Sequence, residues 1–228
     1  MAKQRPISER LAKGPPGRHL IPSDFVTQGQ RERMLLATAE LVAERGYQKT
    51  TIELIAKTSR VALVTFYEQF SSKEECFLAA FDESVAAARE VFAELLNPED
   101  PWQEQISAGL EIFLEMVVKE QARAKLCIVE AQAAGTASLA RYQAMLESVA
   151  PKLREGREFN PRSSRLPDGL EVAIAGGIVW LVHQRLLADE VDDLMKLLPE
   201  MLQVTLTPYV GELEAGRAAD AAQARVAA

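Results

Sequence analysis

Residues that carry chemistry are scarce in this sequence. Two cysteines, Cys76 and Cys127, are too few for a disulfide framework, and two histidines, His19 and His183, cannot alone furnish a metal cage. There is no Gly-rich phosphate loop, no HExxH, no GxSxG and no carboxylate pair whose spacing stands out. No enzyme is therefore expected, and no catalytic residue, metal or cofactor is assigned. No apolar run approaches the roughly 20 residues of a membrane span, and the N-terminal segment lacks a secretory apolar region. The chain reads as soluble and cytoplasmic, with no membrane partner. Strand patterns are also missing, so the expected fold class is all-α, with about nine helices.

What is present is helical periodicity in a chain of 228 residues, 48% hydrophobic, long enough for a small and a larger domain. The net charge of -7 is unevenly spread: residues 1–73 hold twelve Lys/Arg and seven Asp/Glu, leaving fourteen and twenty-six for the rest. A basic N-terminal part suits phosphates, and an acidic body is kept away from them.

Taken in order, residues 1–27 place Lys3, Arg5, Arg10, Lys13 and Arg18 among prolines and glycines and read as a basic flexible arm. It either enters a minor groove or is merely a tail. A first helix, 28–45, carries Met34, Leu35, Thr38, Leu41 and Val42, with Gly46 as its C′ stop and Tyr47 closing the end. Thr50 with Glu53 predicts a capping box and a short helix ending near Thr58. After a turn at Arg60 and Val61, a second short helix turns Phe66 and Phe70 inward and leaves Leu63, Val64 and Tyr67 at least partly outside. Ser72 with Glu75 caps the next. A short helix, a tight turn and an exposed second helix is helix-turn-helix geometry.

Residues 33–77, RMLLATAELVAERGYQKTTIELIAKTSRVALVTFYEQFSSKEECF, resemble the N-terminal DNA-binding domain of the TetR (tetracycline-repressor-like) family. The resemblance rests on Gly46-Tyr47, Thr50-Thr51, Ile55-Ala56, Thr65-Phe66-Tyr67, Phe70 and Ser72-Lys73-Glu74, and it covers about a fifth of the chain. Two positions depart from the family's pattern. Arg60 stands where the turn usually has Gly, at a cost on the order of 1 kcal/mol for positive φ. Ala62 stands where a Ser or Thr usually caps the recognition helix, forfeiting roughly 0.5 to 2 kcal/mol.

The resemblance implies a helix-turn-helix domain at 28–74, a ligand-binding and dimerisation domain at 75–212, and double-stranded operator DNA and a small effector as partners. Thr65 and Tyr67 match the family's phosphate-contacting positions. Thr51 and Lys73 sit at helix N-termini, Lys49 and Arg60 could join them, and Leu63 and Val64 face the bases with apolar groups only. The other reading of Tyr67 is a ring packed on the first helix.

Beyond Lys73 the helices continue. The one joined to Ser72 runs to about Leu95. Another is capped by Asp100, Pro101 and Gln103, a sixth spans 122–134, and a seventh begins near Ser138 and is kinked or ended by Pro151. Residues 155–169 read as a mobile loop. The segment 170–187 is apolar around most of its girth, and 191–210 is expected to bend near Pro199. Together these last two offer more apolar face than one protomer hides, which points to a homodimer through Gly176, Gly177, Leu194, Leu198, Met201, Leu202 and Thr205. Residues 213–228 read as a frayed, Ala-rich tail.

For the effector, Phe92, Trp102, Phe113, Met116, Cys127, Tyr142, Met145, Trp180 and His183 are the candidate lining, with His183 and Tyr142 as polar anchors. Core packing, or for His183 the dimer interface, is the competing reading. The expectation is a dimeric, ligand-responsive regulator, a repressor rather than an activator, on a pseudo-palindromic operator. Arg60, Ala62, Leu63 and Val64 keep a second reading open: a dimeric ligand-binding or interaction module with weakened or lost sequence-specific DNA binding.

Overall fold

Pro22 is the last proline before Pro98, and directly after it the chain enters its first helix, α1 (Ser23–Arg45). The computed structural model describes residues 23–226, so residues 1–22 of the expected arm lie outside the described residues, while 23–27 are helical rather than extended. Gly46 ends α1 at φ +82°, the left-handed conformation expected of it. Two short helices, α2 (Ile52–Thr58) and α3 (Leu63–Gln69), follow, then the long α4 (Lys73–Leu95).

Met34, Leu35, Leu41 and Val42 of α1 close over Ile55, Phe66, Phe70, Phe77 and Phe81. Buried aromatics of this size dominate the energetics of so small a core. The core is not confined to the N-terminal helices, because Leu126, Cys127, Ala131 and Ala134 from the body are part of it.

The body consists of α5 (Trp102–Lys119), α6 (Gln121–Ala124), α7 (Thr136–Arg154), α8 (Leu170–Leu187), α9 (Leu198–Val210) and α10 (Glu212–Val226). The described residues thus contain ten α-helices and no strand. What was expected as one regular sixth helix changes its winding. After α6 the chain forms a π-helix over Lys125–Val129 and a 3-10 turn over Glu130–Gln132.

Asp100 does not cap α5, because Asn97 takes its carboxylate through a 2.7 Å hydrogen bond and Pro101 occupies the cap position. Nor does Pro151 stop α7, which continues to Arg154. The 155–169 segment is tied down by two 3-10 turns, Glu155–Phe159 and Ser163–Arg165, and by Arg157. Arg157 donates to both oxygens of buried Glu171, at 2.6 and 3.1 Å, and to the Pro167 carbonyl at 2.7 Å. Asn160 adds a bond to the Pro208 carbonyl at 2.7 Å.

The expected frayed tail is α10, packed on α9 through Ala215, Ala219 and Ala222, whose small side chains admit close approach. This corrects the dimer assignment. Leu194, Leu198, Met201, Leu202 and Thr205 are all fully buried inside the protomer. Their periodicity marks a buried face, and the protomer's own helices cover it. Leu194 falls in a 3-10 segment, Val191–Leu197, and α9 begins just before Pro199, where the bend was expected.

By length and composition alone α8 could cross a membrane. In the fold it turns Ile174, Ile178, Val182 and Leu186 into the body's core.

Candidate nucleic-acid interface

The turn between α2 and α3 sets the angle of the exposed helix. The amide of Arg60 donates to the Lys57 carbonyl at 3.2 Å and that of Val61 to the Ala56 carbonyl at 3.0 Å, the paired bonds of a Schellman stop. Arg60 occupies the position that needs the left-handed region, and its φ is +56°. From α1, Arg33 Nε donates to the Ser59 carbonyl at 3.1 Å. Three hydrogen bonds therefore hold a backbone conformation that Arg60 alone disfavours. Ala62 caps α3 in extended conformation with no side-chain bond, as its methyl dictates.

The capping of α2 is shifted by one residue from expectation. Thr51 is the N-cap and accepts from the Leu54 amide at 3.3 Å, because the Thr50 hydroxyl is taken by the Gly46 carbonyl at 2.9 Å. The neighbouring Glu53 carboxyl is held below its ordinary value by backbone and Thr51 hydrogen bonds. At α4, Ser72 accepts from the Glu75 amide as expected, while Glu75 reaches back one residue further, to the Ser71 amide at 2.7 Å.

Buried Phe66 and Phe70 anchor α3, and Leu63, Val64 and Tyr67 stand on its outer side, 43%, 65% and 53% exposed. The rings of Tyr67 and Phe66 meet edge to face, 5.7 Å between centroids, and Tyr67 keeps about half of its surface open to solvent. Lys49, Thr51 and Arg60 are exposed around this helix and Thr65 is half-buried.

Lys73 is used differently. Its ammonium donates to the Tyr47 carbonyl at 2.8 Å and lies 4.1 Å from the centre of the Tyr47 ring, and burial lowers its pKa. One of its three donors is thus committed to joining α4 to the α1–α2 turn. Sequence reading missed Glu130, whose carboxylate accepts from the Tyr47 amide at 2.8 Å. It lies 83 positions away, and nothing local signals the contact.

The nine expected effector-lining residues are not brought together. Trp102 is buried at the start of α5, its Nε1 donating to the Lys152 carbonyl at 2.8 Å. Its ring lies against Phe159, Tyr209 and the bare Cα of Gly156, where any Cβ would come within 2.4 Å. Trp180 points outward, 57% exposed, with His183 stacked on it at 5.3 Å. Trp102 is thus a packed core ring, while Trp180 turns away from the core. Phe92, Phe113, Met116 and Met145 are half-buried and Cys127 is buried, while Tyr142 touches both cores and burial raises its hydroxyl pKa. Two surface hollows, of 330 and 430 Å³, are lined by Arg154, Arg157 and Asp168 and by Glu200, Gln203, Val204, Thr207 and Pro208, none of them a candidate.

An exposed helix-turn-helix carried on an all-helical body defines a DNA-binding regulator. Residues 34–80 match the sequence profile of "Bacterial regulatory proteins, tetR family", and the chain is a TetR-family transcriptional regulator, a non-enzymatic class. A curated relative, the uncharacterized HTH-type transcriptional regulator YhgD of Bacillus subtilis, is 25% identical over 142 residues, 62% of this chain and 70% of YhgD. Further curated relatives, 38% to 39% identical, match over only 31% to 32% of their own length. The fold is shared with the fatty acid degradation regulator FadR from Bacillus halodurans (TM-score 0.69, 20% identity, 78% of this chain and 94% of that one). It is also shared with FadR from Bacillus subtilis in complex with stearoyl-CoA (TM-score 0.65, 20% identity, 77% and 97%).

Proposed function

We propose that the chain acts in the cytoplasm as a homodimeric repressor that straddles a pseudo-palindromic operator and is released by a small, mostly apolar effector. The observation that carries the dimer is the outer face of α8. Val172, Trp180 and Leu187 remain 37%, 57% and 59% exposed, and a Cβ added at Gly176 or Gly177 would meet nothing within 4 Å. On α9, Val204 is 50% exposed. Large apolar side chains left out by a fold that buries its own core suit an isologous helix pairing, and two glycines let the backbones approach.

Within this reading Lys49, Thr51, Arg60, Thr65 and Tyr67 hold phosphates, Lys73 reaches one with the donors that Tyr47 leaves free, and Leu63 and Val64 face base edges. Phe92, Phe113, Met116, Cys127, Tyr142 and Met145, from α4, α5, the π segment and α7, remain the proposed effector lining. The stearoyl-CoA bound by the similarly folded FadR supports an apolar effector.

Sedimentation equilibrium and fluorescence anisotropy on the DNA flanking the chain's own gene test the proposal. A dimer that Trp180→Asp splits into monomers, with DNA affinity falling as salt rises, fits it. A wild-type monomer sinks it. The second reading, a dimeric module with weakened DNA reading, is favoured by Arg60 and uncapped Ala62, and a dimer that binds no DNA at low salt would establish it.

A further inference from the structure

The exposed positions of α3 are Leu63, Val64, Tyr67 and Glu68, and of these only Tyr67 has a group that donates a hydrogen bond. Guanine presents two acceptors in the major groove, ordinarily met by Arg or Lys, and adenine suits Asn or Gln. Leu63–Gln69 contains no Arg, Lys or Asn, and its one Gln closes the helix at the end away from Leu63. What an isobutyl or isopropyl group recognises in that groove is the C5-methyl of thymine. Leu63 and Val64 are the first two residues of α3, at the end of a recognition helix that meets base edges. Both stand in water although the same helix fully buries Phe66.

We infer that Leu63 and Val64 are specificity-determining residues that read thymine C5-methyl groups, so that each operator half-site carries thymines beneath them and is recognised there by the methyl. This rests on α3 being the recognition helix. A methyl group buried against these side chains is worth about fourfold in affinity, and the effect belongs to the methyl whichever pyrimidine carries it.

The test uses the full chain. Duplexes are selected from a random pool at low salt, and each thymine of the selected site is replaced singly by deoxyuridine, which removes only the methyl. Fluorescence anisotropy should show losses of about fourfold at one or two positions per half-site and none elsewhere. Cytosine placed at those positions should bind more weakly than 5-methylcytosine by a similar factor. In the chain carrying both Leu63→Ala and Val64→Ala, which should bind the selected duplexes more weakly overall, discrimination between thymine and uracil should disappear.

Selected duplexes that bind equally well with uracil at every position overturn the inference and leave the DNA-binding reading intact. So does discrimination that survives in the double variant. Failure to select or bind any duplex at low salt overturns the reading of α3 itself. The uracil series needs only the wild-type chain, so the outcome does not depend on how the variants fold.

Discussion

The peptide of Tyr47 is held from both sides, its amide donating to Glu130 Oε2 at 2.8 Å and its carbonyl accepting from Lys73 Nζ at 2.8 Å. Glu130 belongs to the 3-10 turn that follows the π-helix, and Lys73 is the first residue of α4. The body thus grips the turn that ends α1, and Gln48 adds a bond to the Ala133 carbonyl at 3.2 Å. A hydrogen bond to a charged group is worth about 1.5–3 kcal/mol. Glu130→Ala should lower stability by roughly that amount, and Glu130→Gln, which keeps an acceptor, by less. Urea unfolding measures the loss, and faster hydrogen exchange at the Tyr47 amide locates it.

Arg60 and Ala62 predict gains. Arg60→Gly removes the penalty of a side chain at φ +56°, on the order of 1 kcal/mol. Ala62→Ser supplies the missing acceptor at the start of α3, worth about 0.5–2 kcal/mol. The two sites lie in one turn, so their effects need not add. Each single variant should raise the unfolding midpoint. The same Arg60→Gly variant should flatten the salt dependence of DNA binding by about one unit if the guanidinium meets a phosphate.

Both features were legible because local rules decide them. The left-handed Arg60, the uncapped Ala62, the Ser72 cap and the stop at Gly46 all follow from a few neighbouring residues. What was not legible depended on partners distant in the chain. Thr50 and Thr51 are equivalent as caps until the Gly46 carbonyl claims one of them. The stripe Leu194, Leu198, Met201 and Leu202 is a correct statement of burial, but periodicity does not say what buries it. Ala215, Ala219 and Ala222 hardly register as hydrophobic, yet their smallness lets α10 lie on α9. Trp102, Trp180 and His183 are aromatic like Phe92, Phe113 and Tyr142, but ring character does not say that Trp102 is buried while Trp180 faces outward.

Glu171 predicts a pH dependence. Hydrogen bonds from Arg157 are the chief cause that holds its carboxyl below the ordinary range. A depressed carboxyl contributes stability that is present in full above the unfolded value, about 4.3, and is lost as pH falls through the folded one. Arg157→Ala takes away the two short hydrogen bonds and leaves buried Glu171 only Arg154, 3.7 Å away, and the Tyr209 hydroxyl at 3.4 Å. It should therefore cost somewhat less than the roughly 3–5 kcal/mol of a fully unpaired buried charge near pH 7. At pH 4 and below, where Glu171 in the variant takes up a proton, the gap between wild type and variant should narrow. Urea unfolding of both chains across this range checks it, and a gap that stays constant contradicts the ion pair's role.

The two thiols report whether the N-terminal helices and the π segment open together. Burial pushes Cys76 up to about 11 and Cys127 up to about 12, against the weaker opposing effect of the neighbouring Thr38 and Ser84 hydroxyls. Burial thus keeps both thiols protonated near neutral pH and shields both side chains from reagents. Both should react with iodoacetamide only slowly in the native chain and readily once it is unfolded in guanidinium. Cys76 lies on α4 and Cys127 in the π-helix, but they share one core with Phe77, Leu126 and Ala131. If that core is a single cooperative unit, slow native-state labelling reaches both cysteines at the same rate, read by mass spectrometry of their peptides. Labelling of Cys127 well ahead of Cys76 would instead mean that the π segment loosens while α1–α4 stay closed, and Glu130 would then release the Tyr47 amide before any of those helices opens.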